Sequence, residues 1–219
     1  MSYTPPTNVD DHIAQLRLQL SGNPDCGTSL YNLGVALMGK QEYAEAEKVL
    51  HDAIDKSPTL AEAYVLLGGL CLQRGDLEGC YRYNQRATKA RAGFAEGYGN
   101  MAFVLLQLCD GKDPKEDEEK SDKAIKFLKK AIIHNKHFVQ AYATLGTAYY
   151  MKGLIEEGIK ANLEAIAIQP EFPIAHNNLA VAYLELEDFE NAIKHCDEAQ
   201  RLGYQVDPKL LEELAPHRK

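Results

Sequence analysis

Apolar residues between Gly27 and Leu60 follow the period of an α-helix twice, with an interruption at residues 39–42. The apolar positions before and after the interruption are Leu30, Leu33 and Leu37, then Tyr43, Leu50 and Ile54. Spacings of three and four residues place such side chains on one face of a helix. Pro58 then provides a stop. The stretch therefore predicts two amphipathic helices joined by a turn and ended by proline.

Small residues repeat along the chain with the same spacing. Gly34 and Gly68 are 34 residues apart, as are Gly68 and Ala102, and only the step from Ala102 to Gly146 is longer, at 44 residues. Each of these residues begins a triplet of small side chains, and the five triplets are Gly34/Ala46/Ala53, Gly68/Cys80/Ala87, Ala102/Ala124/Ala131, Gly146/Gly158/Ala165 and Ala180/Ala192/Ala199. Small side chains let two helices of a hairpin approach closely, and larger ones would overpack the contact. The sequence thus predicts five copies of one helical hairpin.

A 34-residue hairpin with small residues at fixed positions and a closing proline resembles the tetratricopeptide repeat (TPR). Five triplets in register extend this resemblance over about residues 27–206. It implies an all-α fold, a right-handed α-solenoid of about five helix-turn-helix repeats with a capping helix at each end. The expected segments are a flexible tail at 1–8, an N-terminal capping helix at 9–26, repeats at 27–60, 61–94, 95–138, 139–172 and 173–206, and a C-terminal capping helix and tail at 207–219.

The two ends carry their own helix signals. A helix is expected to begin near Asp10, and Pro24 lies one period before Pro58. The apolar side of this helix is expected to consist of Ile13, Leu16, Leu18 and Leu20. After the last repeat, Asp207 followed by Pro208 predicts an N-cap and a proline in the first turn of a short final helix. Both terminal helices are interpreted as covers for the ends of the stack.

Two repeats depart from the pattern. The second ends in Ala92-Gly93 where proline is expected, and a glycine in the left-handed conformation is predicted to stop the helix instead. The third holds a ten-residue insertion at about 108–120. Its stretch Asp110–Lys123 has seven acids and four bases, and it lacks the alternating ligands, central glycine and closing glutamate of an EF-hand. A solvated loop that extends the two helices is expected there, and a contact site is the second interpretation of the insertion.

Composition narrows the classes of partner. The formal charge is −8 and the sequence pI is about 5.4, whereas nucleic acid or an anionic membrane surface would require a basic face. The first residues lack the basic and apolar regions of a signal peptide, and no apolar run reaches the length of a membrane span. A cytoplasmic location without membrane insertion is expected, or export by a route without such a leader.

No pattern of catalytic or metal-binding residues emerges. The five cysteines are odd in number and form no C-x-x-C, so reduced thiols are expected, and a redox role for Cys71 and Cys80 is the second interpretation. His134 and His137 have no third ligand at zinc spacing and are interpreted as a surface pair. Nucleophile-elbow and phosphate-loop motifs are absent. The expectation is a protein without cofactor, metal or enzymatic activity.

The resemblance also implies a binding face, because the first helices of TPR hairpins line a concave groove. The positions that point into it in this family correspond here to Asn32, Val35, Met38, Glu62, Val65, Glu96, Asn100, Phe103, Gln140, Thr147, Tyr150, Asn177, Asn178 and Val181, together with the small residues Gly69 and Ala143. Asparagine amides can bond a peptide backbone, and aromatic side chains can anchor apolar groups. The alternative is that these residues face solvent without a ligand.

None of these positions holds Lys or Arg, so a clamp for the carboxylates of an acidic peptide end is not expected. Glu62 and Glu96 favour an apolar or basic ligand. The leading hypothesis is a scaffold that binds a peptide or helix of a partner protein in this groove, for assembly or chaperoning. The alternative is self-association, as a homo-oligomer, through an end cap or the inserted loop. An enzyme is the remote third.

Overall fold

The computed structural model describes residues 8–218, and this part of the chain is all-α without any β-strand, which confirms the predicted fold class. The expected tail at 1–8 lies, apart from Asn8, outside the described residues. A short 3-10 turn, Ala215–His217, follows the last of the helices. The helices are α1 (Val9–Gly22), α2 (Gly27–Gly39), α3 (Tyr43–Lys56), α4 (Ala61–Gln73), α5 (Leu77–Ala90), α6 (Ala95–Gln107), α7 (Pro114–His134), α8 (Val139–Met151), α9 (Ile155–Ile168), α10 (Pro173–Glu185), α11 (Phe189–Arg201) and α12 (Pro208–Leu214).

The chain divides within α6 into two compact units, Met1–Val104 and Leu105–Lys219. In the first unit, α2 packs against α3 and α4 against α5, with α1 on α2 and α3 on α4. In the second unit, α8 packs against α9 and α10 against α11, with α7 on α8 and α9 on α10. Within the described residues, no helix combines the length and apolar character needed to cross a bilayer.

In the three triplets that begin with glycine, this glycine makes room for one buried side chain on the partner helix. Gly34 faces Leu50, and a Cβ built on Gly34 would lie 2.7 Å from the Leu50 side chain. Gly68 faces Asn84 in the same way, at 2.6 Å, and a Cβ on Gly146 would overlap the amide nitrogen of Asn162. The partner side chains Leu50, Asn84 and Asn162 are almost completely buried. Glycine is therefore required by a neighbouring side chain.

A different reason applies at Gly158, the middle member of its triplet. A Cβ there would lie 3.1 Å from the backbone oxygen of Gly146. Here the two helix backbones themselves approach closely, which is the contact that the sequence analysis expected for all of the small positions.

The turn inside four hairpins has one geometry. Residues Gln41, Gly75, Gly153 and Glu187 have positive φ angles of 64°, 76°, 71° and 57°. In each case the following amide donates to the carbonyl five residues earlier, as in Glu42 N–H to Leu37 O at 2.9 Å. This is the hydrogen bond of a Schellman ending, which satisfies a carbonyl that the helix leaves free. Two of the four turns hold this conformation without glycine.

The sequence predicted the end of the second repeat only in part. Gly93 has a φ of 79°, which is the left-handed conformation expected there. However, α5 already ends at Ala90, and Arg91 is an extended cap residue whose amide donates to Ala87 O. Gly93 therefore shapes the turn that follows the cap.

The inserted segment is more helical than expected. The prediction of a solvated loop over Asp110–Lys123 is wrong for most of that stretch, because α7 begins at Pro114 and absorbs the rest as extra helical turns. Asp113 caps α7 by accepting from the amides of Lys115 and Glu116 at 3.0 and 3.2 Å. Proline in the first turn and acids near a helix N-terminus both favour helix initiation.

Of the predictions for the two terminal helices, one is confirmed and one is wrong. Asp207 accepts from the amide of Lys209 at 2.9 Å, and Pro208 occupies the first turn of α12, as predicted. In α1, Ile13 and Leu16 are buried, but Leu18 is 74% exposed, so its assignment to the apolar side is wrong. Leu18 lies five residues from Ile13, which is too far around the helix for the buried face.

A buried histidine pair lies in the second unit. His176 on α10 and His195 on α11 approach with their Nδ1 atoms 2.9 Å apart, and His176 Nε2 lies 2.8 Å from the carbonyl oxygen of Pro170. Since that carbonyl can only accept, His176 donates from Nε2 and accepts at Nδ1 from His195 Nδ1–H. Tyr183 stacks on the His195 ring with centroids 5.7 Å apart.

Burial, together with His176 and Lys194, lowers the pKa of His195 from 6.5 to about 4, against a smaller opposite effect of Glu198. The folded chain thus favours the neutral ring. Between pH 6.5 and 4 the unfolded chain binds the additional proton, so stability falls as pH falls through this window.

We expect Gly146→Leu to lower the free energy of unfolding by about 1–3 kcal/mol or more, because its side chain would overlap Asn162. Urea unfolding followed by circular dichroism measures the change. Gly69→Leu is the matched control, because Gly69 is exposed on α4 and a Cβ there meets no atom within 4 Å. Equal stabilities of the two variants would contradict the assigned contact.

We expect the folded chain to lose up to about 3 kcal/mol through His195 between pH 6.5 and pH 4, and to lose nothing further through it below pH 4. His195→Phe should therefore show a smaller fall in unfolding free energy over this range than the unaltered chain. An identical slope in the variant and in the unaltered chain would rule out the buried pair as its source.

Candidate functional site

The structure places most of the predicted groove residues on accessible surface of first helices. In the first unit they are Asn32, Val35 and Met38 on α2, Glu62 and Val65 on α4, and Glu96, Asn100 and Phe103 on α6. In the second unit they are Gln140, Thr147 and Tyr150 on α8, and Asn177, Asn178 and Val181 on α10. All of these side chains are exposed or half-buried, and Val35 and Phe103 are exposed apolar residues.

Among the residues predicted for the groove, only the side chain of Ala143 is buried in the described structure. It is 2% exposed and belongs to the core between α8, α9 and α10. Its backbone carbonyl nevertheless contributes, because it accepts from Asn178 Nδ2 at 3.2 Å. The side chain therefore packs inside the unit, and only the backbone of Ala143 takes part in the polar contacts described below.

An asparagine pair occurs once in each unit. In the first, Asn100 Nδ2 donates to Asn84 Oδ1 at 2.9 Å, and Asn84 Nδ2 donates to the carbonyl of Cys80 at 2.9 Å. The amide nitrogen of the predicted groove residue Asn100 is thus already used inside the protein. Asn84 was missed by the sequence analysis, although its position sixteen residues after Gly68 repeats in Asn162 after Gly146.

The second unit repeats the pair with more partners. Asn178 Nδ2 donates to Asn162 Oδ1 at 3.1 Å and lies 3.2 Å from both Thr147 Oγ1 and the Ala143 carbonyl oxygen. Asn162 Nδ2 donates to the Gly158 carbonyl at 2.9 Å. Asn178 therefore ties three helices of the unit together, because its partners lie on α8 and α9.

A cleft of about 190 Å³ opens beside this network. It is referred to below as the α8–α10 cleft and is lined by Gly146, Thr147, Tyr150, Gly158, Asn162, Asn178, Val181 and Ala182. Four of these residues were predicted for the groove, and the structure brings them together. The others had been assigned to packing or to no role, since only the contacts among three helices reveal that they border the same space.

Tyr150 links the cleft to acidic side chains. Its hydroxyl donates to Glu185 Oε1 at 2.9 Å. Burial raises the pKa of Tyr150, and the hydrogen bond and charge of Glu185, with the charge of Glu213, raise it further. The phenol accordingly stays neutral and remains a hydrogen-bond donor over the physiological range.

The acidic character of the first-unit face is smaller than predicted. Glu62 forms a salt bridge with Arg91, whose guanidinium also lies over the Phe94 ring, 4.3 Å from its centroid. Burial acts to raise the pKa of Glu62, but the hydrogen bond and charge of Arg91 hold it below its ordinary value. Arg91 was missed because it follows a second helix, outside the positions considered for the groove.

The inserted segment borders a more polar hollow of about 490 Å³, lined by Cys109, Gly111, Pro114, Asp117, Glu118, Ser121, Met151 and Lys152. Lys152 is paired with Asp122 and Glu118. Asp117 accepts from the amide of Gly111 at 2.8 Å, while its Oδ1 has no hydrogen-bond partner and lies 3.6 Å from Lys120 Nζ. Within residues 8–218 no group of three or more His, Cys, Asp or Glu side chains is arranged to hold a metal ion.

The buried cysteines show no sign of activation as nucleophiles, whereas the hydrogen bond from the Ser29 hydroxyl lowers the pKa of the Cys26 thiol. All five are free, and Cys71 and Cys80 are buried in one small cluster of the first unit. Burial, with a smaller effect of Cys71, raises the pKa of Cys80 to about 11. A thiol with such a pKa is almost entirely protonated near neutral pH and reacts slowly.

Comparisons with known proteins agree with this geometry. Two family models, both described as tetratricopeptide repeat, match residues 37–102 and 173–202. A curated relative, the TPR repeat-containing protein YpiA of Bacillus subtilis, is 27% identical over 206 residues, which are 94% of this chain and 46% of YpiA. The chain spans 28% and 46% of the length of the two curated relatives that it matches over most of its own residues.

Solved structures share the fold at low sequence identity. TTC0263, a thermophilic TPR protein of Thermus thermophilus, has a TM-score of 0.69 and 19% identity, over 87% of this chain and 97% of its own. YrrB, a TPR protein with an unusual peptide-binding site, has a TM-score of 0.64 and 19% identity, over 92% of this chain and 97% of its own. Together with the repeated hairpins and the two family matches, these results show that the chain belongs to the tetratricopeptide repeat family.

Proposed function

We propose that the protein is a non-enzymatic scaffold that binds a peptide or helix of a partner protein on the face formed by its first helices, in assembly or chaperoning. The TPR fold supports a role in protein–protein interaction. The observation that carries the proposal is the α8–α10 cleft, where four of the predicted groove residues border one space. A TPR protein of similar fold, YrrB, is described as having a peptide-binding site.

The chemistry of the face supports an extended or helical peptide as ligand. Phe103 in the first unit is 38% exposed, and Tyr150 in the second borders the cleft. Aromatic side chains of this kind are frequent anchors of binding energy in protein interfaces. Asn100 and Asn178 are fixed by bonds of their amide nitrogens, so their oxygens are positioned in advance to accept from a ligand N–H.

One observation favours self-association as a second candidate. Leu18 on α1 is the most exposed large apolar side chain of the described chain, at 74%. An apolar residue on a terminal helix offers a contact to a second copy through the end cap. The inserted segment is the other candidate contact for such a homo-oligomer, while the acidic balance of the chain makes nucleic acid an unsuitable partner.

A cytoplasmic location also belongs to this proposal. All five cysteines are free, including the half-buried Cys26 and Cys109. Free thiols are typical of proteins in reducing compartments. Enzymatic activity stays a remote third hypothesis, since the sequence has no phosphate-loop motif and residues 8–218 hold no group of side chains arranged to bind a metal ion.

We expect Phe103→Ala or Tyr150→Ala to weaken binding of a partner by more than about 1 kcal/mol, because each removes an aromatic anchor. Partners captured by the immobilised chain would be identified and their affinities measured by calorimetry, with unchanged helicity checked by circular dichroism. Leu163→Ala is the matched control, since Leu163 is 40% exposed but lies on the second helix α9. Full affinity in both aromatic variants would contradict a site on the first helices.

Light scattering distinguishes the scaffold from the self-associating protein. The scaffold hypothesis predicts a monomer mass that does not change with concentration. Self-association through the end cap predicts a larger mass that Leu18→Gln reduces, because that change removes the exposed apolar side chain from α1. If the mass depends on concentration and Leu18→Gln does not change it, the inserted segment becomes the candidate contact for self-association.

A further inference from the structure

The donors that line the α8–α10 cleft are already engaged within the protein. The Thr147 hydroxyl donates to the Ala143 carbonyl at 3.3 Å, and the Tyr150 hydroxyl donates to Glu185. The amide nitrogens of Asn162 and Asn178 donate to the acceptors described above. Only the second N–H of the Asn162 amide is left without an acceptor among these bonds, and Asn162 is just 2% exposed. A ligand group that needs several donors, such as a carboxylate, would have to displace one of the other bonds and leave a polar group unpaired.

In contrast to the donors, hydrogen-bond acceptors at the cleft remain available to a ligand. Within the described chain, Asn178 Oδ1 accepts no hydrogen bond, and Glu185 and Glu213 form no salt bridge. The Glu185 carboxylate lies at the Tyr150 hydroxyl, which donates to its Oε1 at 2.9 Å, and Glu213 adds a negative charge at longer range. The edge of the cleft at Tyr150 therefore carries one carboxylate in direct contact, and neither acid forms a salt bridge within the described chain.

The volume and the lining residues of the cleft limit the kind of ligand group that can bind there. Val181, Ala182, two glycines and the Tyr150 ring make its surface largely apolar. Its volume of about 190 Å³ is below the roughly 300–1,000 Å³ that small-molecule sites offer. A single peptide side chain is the matching occupant. A side chain with an apolar stem and a cationic tip complements both the apolar lining of the cleft and the negative charge at its edge.

We propose that the α8–α10 cleft is a specificity site for one Lys or Arg side chain of a partner peptide. The aliphatic stem lies against Val181 and the Tyr150 ring, and the cationic tip is held by Glu185, with Asn178 Oδ1 as a further acceptor. Arg is preferred to Lys, because its planar guanidinium donates to several acceptors and stacks on an aromatic ring. The inference rests on the proposed function and specifies the chemistry of its ligand.

The test uses acetylated and amidated pentapeptides of Gly and Ser that carry Arg, Lys, Leu or Glu at the centre. Each is titrated into the ¹⁵N-labelled full chain, and amide shifts of Thr147, Tyr150 and Val181 report binding at the cleft. We expect saturable shifts for Arg and Lys, at least about threefold weaker binding for Leu, and none for Glu. The preference for Arg over Leu should shrink as salt is raised.

Glu185→Gln should weaken binding of the Arg peptide by about threefold or more and leave the Leu peptide unaffected. The matched control is Glu164→Gln, since Glu164 is exposed on α9 and does not line the cleft. Circular dichroism confirms that both variants keep their helicity. Loss of charge preference in Glu185→Gln, but not in the control, would assign the cationic tip to the edge of the cleft.

Three results would overturn the inference. They are equal binding of Leu and Arg, binding of the Glu peptide, and no shift at the cleft with any peptide up to millimolar concentration. The first leaves the proposed function intact, since the groove would then bind without charge preference. The proposed function itself fails separately, when a captured partner binds with full affinity to both Phe103→Ala and Tyr150→Ala.

Discussion

Three hairpins of this protein depend on one contact, between a glycine on the first helix and a buried side chain on the second. In the first unit Gly34 admits Leu50 and Gly68 admits Asn84, and in the second unit Gly146 admits Asn162. The contact fills space that a Cβ would occupy, so it fixes both the distance between the helices and the register of the pair. A glycine at this position of the hairpin can therefore pack against an apolar or a polar side chain.

Where the buried partner is asparagine, packing and binding become connected. Asn162 cannot remain unpaired at 2% exposure, and it accepts from Asn178 on the next hairpin. That bond fixes a residue of the proposed binding face from behind. The amide nitrogen faces the interior of the unit, and the oxygen is left as an acceptor. A structural requirement thereby determines that the cleft favours donor groups, which is the basis for expecting a cationic side chain.

The inserted segment shows how the fold accommodates extra residues without disturbing the repeat. Asp113 and Pro114 provide a new helix start, and α7 runs for 21 residues instead of the 13 or 14 of its neighbours. The remaining loop is held to this helix, since Lys120 donates to the Leu108 carbonyl at 2.9 Å. Within the segment Lys112 pairs with Asp110, and Lys120 pairs with Glu116 and Asp117, which gives these charges less capacity to attract a charged ligand than the composition suggests.

The sequence by itself determined the all-α class and the repeat, because spacings of three, four and 34 residues depend only on local geometry and on small positions such as Gly34. Tertiary structure alone decided which polar groups are satisfied. Asn84, Asn162 and the pair His176 and His195 belong to no recognised motif of the sequence and find their partners only when separate helices pack. The cleft likewise exists only between three helices, and so its engaged donors and free acceptors could not be deduced from the face of any single one.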